Sequence, residues 1–239
     1  MTTPRLNARM RRAGAGLMIA FAGLMSLPGC DPRTLMYFLQ PFEPTIAAPG
    51  PSLKGKKVVV VAHAVSGAQG EFQAIDREVV AEFVSIIRSK VKKIEIVNPD
   101  KVWNWVEAHP NWTDQAEVAK AFEADVVIFI EIEGFQVQNP NDLNVMQGTA
   151  KCHVQATEIA HPTNSKGKPI NDQPKEPKKI WDETVDTEFP IRGPIPADSG
   201  VSRAAFKNKF LKVVANELTW QFVEHSSGDS IQEVKFNNK

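Results

Sequence analysis

The spacing of hydrophobic positions predicts five strands. Lys57–Val65 and Asp125–Ile132 are continuous apolar runs, which are typical of strands buried on both faces. Gly148–Ile159 and Ile180–Phe189 alternate between apolar and polar residues, so we expect half-exposed antiparallel strands there. Lys93–Val97 alternates over a shorter stretch and predicts a short strand. The Asp125–Ile132 run is the most apolar, and we expect it to be central.

Helical spacing separates these strands. Apolar residues recur at steps of three and four in Gln73–Val91 and in Val201–Glu224, which predicts two amphipathic helices. Asn98 followed by a proline is a helix start, and Pro110 ends that helix. Thr113 caps a further helix. The order β-α-β-α-α-β, then two strands and a helix, predicts a single α/β domain with a mixed β-sheet backed by helices.

The first 29 residues have the pattern of a secretory signal peptide. Arginines 5, 9, 11 and 12 precede an apolar run, Ala13–Leu27, and no acid interrupts it. Fifteen residues are fewer than the roughly twenty that span a bilayer core, which favours a cleaved signal over a membrane-spanning helix.

The end of this run resembles the lipobox of bacterial lipoproteins. It reads Leu27, Pro28, Gly29 and Cys30, with proline where a small residue is usual. The resemblance implies that Cys30 carries acyl chains such as palmitate and becomes the new N-terminus, membrane-anchored and facing the periplasm. Asp31 resembles an inner-membrane retention signal. A plain signal peptide with a chance cysteine, or an uncleaved anchor, are the alternatives.

Composition divides the rest of the chain. Residues 30–52 carry five prolines and predict an extended tether, residues 53–225 form the domain, and residues 226–239 form a polar tail. The apolar stretch Leu35–Phe42 either docks on the domain or lies at the membrane interface. Removal of residues 1–29 leaves 24 basic and 28 acidic side chains, so a nucleic-acid partner is not expected.

No residue cluster specifies a chemistry, and we expect no catalytic residues, metal or cofactor. Cys152 and His153 are neighbours on a predicted strand, so their side chains point to opposite faces and cannot share a ligand. Cys152 is expected to be a buried, inert thiol. Four polar residues share one strand face and are expected to be solvated: Asp182, Thr184, Asp186 and Glu188. Gly67–Gly70 lacks the frame of a phosphate-binding loop.

Three tryptophans occur within ten residues: Trp103, Trp105 and Trp112. At least one cannot face inward on the same helix. An exposed tryptophan there would be a partner-binding anchor, whereas core packing of most of them is the alternative.

The run Ala119–Ile130 has the pattern A-x-x-F-x-A-D-V-V-I-x-I and is similar to a family of envelope lipoproteins. That family includes the curli-secretion lipoprotein, the lipoproteins that activate penicillin-binding proteins, and the N-terminal domain of the Tol–Pal translocation protein. The resemblance implies an α/β fold over about residues 53–225. One member forms a pore, but Gln136–Gln147 and His161–Lys178 are too polar to supply membrane hairpins.

We therefore expect a lipid-anchored cell-envelope lipoprotein that acts as a non-catalytic protein-binding or assembly module. Its membrane attachment is the covalent lipid, and its protein partner belongs to the envelope. A structural envelope lipoprotein without a specific ligand is the alternative, followed by an envelope hydrolase with scattered catalytic residues.

Overall fold

The computed structural model describes residues 44–69, 72–160 and 176–228. The signal peptide, the lipobox with Cys30, the Leu35–Phe42 stretch and the tail beyond residue 228 lie outside the described residues. From Thr45 onward the chain forms one unit. Its strands are β1 Thr45–Ile46, β2 Lys57–Ala64, β3 Glu95–Ile96, β4 Val126–Gln136, β5 Val145–Met146, β6 Gly148–Ala160, β7 Glu176–Phe189, β8 Ile195–Pro196 and β9 His225–Ser226. Its helices are α1 Ser66–Gln69, α2 Ile75–Lys90, α3 Pro99–Ala108, α4 Gln115–Phe122 and α5 Arg203–Trp220.

A five-stranded sheet of order β3-β2-β4-β6-β7 organises the domain. Strands β3, β2 and β4 are parallel, whereas β6 and β7 are antiparallel to their neighbours. Strand β4 is central, as its continuous apolar sequence predicts. The predicted mixed sheet backed by helices is therefore confirmed. The starts of β2 and β4 are joined by two bonds of 2.8 Å, from the Lys57 N–H to the Asp125 carboxylate and from the Asp125 N–H to the Lys57 carbonyl.

The larger core lies between one face of the sheet and helices α2 and α5. Helix α2 buries apolar residues four positions apart, which places them on one stripe. They are Ile75, Val79, Phe83 and Ile87. The alternating residues of β6 face this core, and Cys152 and Val154 are fully buried. An ion pair joins helices α5 and α2, because Lys207 Nζ lies 2.7 Å from Glu78 Oε1.

A smaller core lies on the other face, where α3 and α4 cover β2 and β4. Val59 and Val61 of β2 pack there against Val102 of α3 and Val118 of α4. Strands β6 and β7 present polar, largely exposed side chains on this face, as their alternation predicts. The sheet is thus covered on both sides at β2 and β4, and on one side at β6 and β7.

Three local details differ from the sequence pattern. Helix α4 is capped by Asp114, whose side chain accepts a hydrogen bond from the Ala116 N–H, and not by the predicted Thr113. Strand β7 begins at Glu176, ahead of the predicted Ile180, and a β-bulge opposite Ala156 and Thr157 lets it continue past the apolar alternation. The predicted Lys93–Val97 strand contracts to β3, because Lys93 adopts a positive φ of 60°.

Residues 45–52 contact the C-terminal end of the domain. Strand β1 pairs with β9, and the Gly50 N–H donates to the Gln221 carbonyl at 2.8 Å. A Cβ at Gly50 would lie 2.4 Å from that carbonyl oxygen, so only glycine fits at this crossing.

Candidate protein-binding cleft at Trp103

The start of helix α3 fixes the position of Trp103. The Asn98 side chain accepts a hydrogen bond of 2.8 Å from the Asp100 N–H, and Pro99 occupies the first turn. Val102 then points into the smaller core and is 3% exposed. The next residue, Trp103, is turned about 100° around the helix and lies over the junction with α2.

A cleft of about 120 Å³ lies beneath Trp103, between helices α2 and α3. Its apolar lining is formed by Val60, Val80, Ala81, Pro99, Val102 and Val106. Small-molecule pockets usually measure about 300–1,000 Å³, whereas an engineered cavity of about 150 Å³ admits a single benzene ring. The cleft therefore has room for one side chain of a partner and is too small for a typical cofactor.

Two charged side chains contact the Trp103 indole, one over the ring and one at its N–H group. The Arg77 guanidinium lies 4.5 Å from the ring centroid, and its Nη2 lies 2.7 Å from Glu107 Oε1. The same Glu107 oxygen accepts a hydrogen bond of 2.8 Å from Trp103 Nε1. Arg77 and Glu107 are 55% and 59% exposed, so their ion pair contributes at most about 1 kcal/mol. These contacts can therefore be exchanged for contacts with a partner at low cost.

The other two tryptophans pack against the smaller core. Trp105 stacks on His109 at 4.4 Å between ring centroids and meets Phe122 edge-on at 6.2 Å. Trp112 meets Phe129 edge-on at 6.0 Å. Trp103 is thus the tryptophan of this group that borders the cleft.

Cys152 and His153 lie on opposite faces of β6. Burial raises the pKa of the Cys152 thiol to about 12, with smaller contributions from Glu133 and other nearby carboxylates, so the thiol is protonated at neutral pH. His153 Nε2 lies 2.6 Å from the Asp182 carboxylate. The hydrogen bond from Lys179 and then that from His153 lower the pKa of Asp182. A protonated, buried thiol has little nucleophilic character.

Within residues 44–69, 72–160 and 176–228, no group of three or more His, Cys, Asp or Glu side chains is placed to hold a metal ion. In that same part of the chain, no helix combines the length and apolar character needed to cross a bilayer.

An open trough of about 380 Å³ lies at the far end of the sheet, where β4, β6 and β7 meet. Lys151 lines it and pairs with Glu133 at 2.7 Å, and this hydrogen bond raises the pKa of Lys151. Asp186 and Glu188 of β7 form the opposite side of the trough.

The sequence pattern missed the partners of Trp103. Trp103 and Glu107 are four residues apart on one helix, so their contact was readable from spacing. Arg77 lies on a different helix, and its position over the indole follows only from the packing of α2 beside α3.

Comparison with known proteins gives distant structural likeness. The PelC dodecamer from Paraburkholderia phytofirmans is 11% identical, with a TM-score of 0.40 over 76% of this chain and 97% of that chain. Lipoprotein GNA1162 from Neisseria meningitidis is 11% identical, with a TM-score of 0.38 over 70% and 98%. The hypothetical protein CT253 from Chlamydia trachomatis is 15% identical, with a TM-score of 0.37 over 70% and 98%.

No family model and no curated protein matches the chain. The resemblance to the Tol–Pal, curli-secretion and penicillin-binding-protein activator proteins is therefore not confirmed.

Proposed function

We propose that the chain is a cell-envelope lipoprotein, anchored through acyl chains on Cys30 and facing the periplasm, that acts as a non-catalytic protein-binding module. The observation that carries the binding role is Trp103, a large aromatic side chain bordering a cleft sized for one partner side chain. Tryptophan and arginine are the residue types most enriched at energetically dominant positions of protein interfaces.

Sequence supports the anchor. The signal-like residues 1–29 end in Leu27, Pro28, Gly29 and Cys30. The remaining chain has four more acidic than basic side chains, so electrostatic attraction to anionic lipid does not hold it at a membrane. Acyl chains supply about 0.8 kcal/mol per buried CH₂, and two or more chains anchor a protein stably.

The geometry of the reactive side chains favours binding over hydrolysis. An envelope hydrolase would need a nucleophile next to a base in a cleft. Cys152 is buried with a raised pKa, and His153 lies on the other side of the sheet. Trp103 instead borders a cleft with an apolar lining, which suits an anchoring side chain.

The anchor is tested with Cys30→Ser. Wild-type protein should sediment with membranes and carry acyl chains detectable by mass spectrometry, whereas the variant should lose both properties. A density-gradient separation of inner and outer membranes then tests the inner location that Asp31 favours. An unmodified thiol on membrane-bound wild-type protein would contradict the lipoprotein assignment.

The binding role is tested by photo-crosslinking in cells. Benzoylphenylalanine in place of Trp103 should capture a defined envelope protein, because this position borders the cleft. The matched control places the same probe at Lys101, which is exposed on the same helix. Equal capture from both positions, or capture from neither, would favour a structural lipoprotein without a specific ligand.

A further inference from the structure

Strand β7 ends the sheet, and within residues 44–69, 72–160 and 176–228 no strand pairs with its outer edge. It runs from Glu176 to Phe189 and lies last in the strand order. Among the described residues, no backbone hydrogen bond joins it to any segment except β6. Such an edge presents a row of free N–H and C=O groups that can accept another extended chain.

The two halves of this edge differ in regularity. Pro177 and the bulge near Ile180 interrupt the first half, and both features protect a sheet edge against added strands. From Trp181 to Phe189 the register with β6 is continuous. The second half is therefore the part that can accept an added strand.

The exposed face of this regular half is acidic. Asp182, Asp186 and Glu188 alternate along it and are exposed. Asp182 forms an ion pair with Lys179, and its carboxylate lies 2.6 Å from His153 Nε2. No ion pair within the described part of the chain includes Asp186 or Glu188, and Glu188 accepts a hydrogen bond of 2.5 Å from the Gln147 amide.

The opposite face of the same half is mixed, because the exposed Glu183 lies between two half-buried apolar side chains. Trp181 and Val185 are half-buried there and pack against the larger core. A strand added beside β7 would therefore meet the carboxylates of Asp186 and Glu188 on one face. On the other face it would meet Trp181 and Val185, with the carboxylate of Glu183 between them.

We propose that the Trp181–Phe189 edge of β7 binds, by strand addition, an extended polypeptide segment in which basic and apolar residues alternate. The backbone supplies the hydrogen bonds, the carboxylates of Asp186 and Glu188 select the basic positions, and Trp181 and Val185 receive the apolar ones. This interface is separate from the Trp103 cleft and does not depend on the acyl anchor.

A second copy of the chain is a poor occupant for this edge. Antiparallel pairing of two β7 strands about Thr187 sets Asp186 of one copy opposite Glu188 of the other, twice in each dimer. Like charges directly opposite each other destabilise a strand pair. The charge pattern thus disfavours self-association and favours a basic partner.

The experiment measures amide hydrogen exchange of the full chain in detergent micelles, with a peptide that alternates lysine and valine as the probe. Exchange should slow in residues 176–189 when this peptide binds. A peptide that alternates glutamate and valine should give no such protection. Protection by both peptides, or by neither, would overturn the proposal.

Charge reversal supplies the matched comparison. Asp186→Lys with Glu188→Lys should weaken binding of the lysine–valine peptide by at least about tenfold, because two attractive cross-strand pairs become repulsive. Asp198→Lys with Glu224→Lys changes the net charge equally at exposed sites elsewhere and should weaken it by less than about threefold. Equal losses in the two variants would show a general charge effect and refute the site.

Two further readouts separate the alternatives. Protection of residues 176–189 that rises with protein concentration, without peptide, would show self-association and overturn the proposal. Trp103→Ala should leave the peptide's effect on β7 unchanged, so failure of the cleft and failure of the edge are distinguishable.

Discussion

Gly148→Ala tests how tightly β6 and α5 pack. Gly148 begins β6 and lies under the Phe210 ring of α5, which is fully buried. A Cβ at Gly148 would lie 2.6 Å from Phe210 Cγ, closer than real Cβ contacts come. Glycine inside a strand often marks such a close approach of another element.

The ring has little room to move. Phe210 lies 4.9 Å from the Phe135 ring and 6.2 Å from the Phe189 ring, measured between centroids. One added methyl group must therefore displace an aromatic cluster or the helix. Overpacking of this kind costs about 1–3 kcal/mol. In a domain of this size, that lowers the melting temperature by roughly 2–4 °C per kcal/mol.

Urea unfolding followed by circular dichroism measures the effect on the free energy of unfolding. Gly134→Ala is the matched control, because its Cβ would meet nothing within 4 Å. We expect the control to stay within about 0.5 kcal/mol of wild type. Its position on the neighbouring strand β4 makes the comparison local.

A second substitution identifies the cause. Phe210→Leu alone leaves a cavity and is destabilising, but in combination with Gly148→Ala the new methyl occupies part of that space. The two changes should therefore be less than additive, with a coupling of about 0.5–3 kcal/mol. Strict additivity, or a Gly148→Ala variant as stable as the control, would refute the packing argument.

Three further predictions concern the buried groups and a helix cap. Burial raises the pKa of Glu217, and the hydrogen bond from Thr187 opposes this shift only in part. The folded state therefore binds the Glu217 proton more tightly than the unfolded state does. The free energy of unfolding consequently falls as the pH rises through the range in which carboxyl groups lose their protons. Glu217→Gln should therefore gain stability relative to wild type between about pH 4 and pH 7 in pH-dependent urea melts; a constant difference would contradict this. In a Cys30→Ser variant, Cys152 should react with a thiol reagent at about pH 8 only after unfolding in urea, because the thiol of the folded protein is buried and protonated. Immediate labelling of the folded protein would show that Cys152 is accessible to solvent. Asn98→Ala removes the cap of α3 and should cost about 0.5–2 kcal/mol in thermal melts, while Asn98→Asp should retain most of the stability.

Hydrophobic patterning predicted the main elements because burial leaves a record in the sequence: one apolar face in α2 and β6, and a continuous apolar run in β2 and β4, which are buried on both faces. The alternation of β6 and the stripe of α2 are direct records of which side chains meet the core. The start of β7 was missed because its first residues, including Pro177 and two lysines, are exposed on both faces and leave no apolar pattern. Spacing cannot report such a segment, since its strand conformation comes from pairing with β6.

The candidate sites were less predictable from the sequence than the helices and strands. Clustering singled out Trp103 but could not distinguish it from Trp105, because that choice depends on the helix that packs beside each ring. The acidic alternation of β7 was visible as a solvated face. Its position at the sheet edge depends on the order of strands, which a local pattern does not contain.

The antiparallel contact of Thr45 with Ser226 sets the two ends of the domain side by side. A force applied at residue 44 would first act on the β1–β9 pairing and on the hydrogen bond between Gly50 and Gln221. It would reach the five-stranded sheet only after these contacts had broken. A fluorescent probe placed near residue 228 would consequently report proximity to a second probe at residue 44, although the two positions are far apart in sequence.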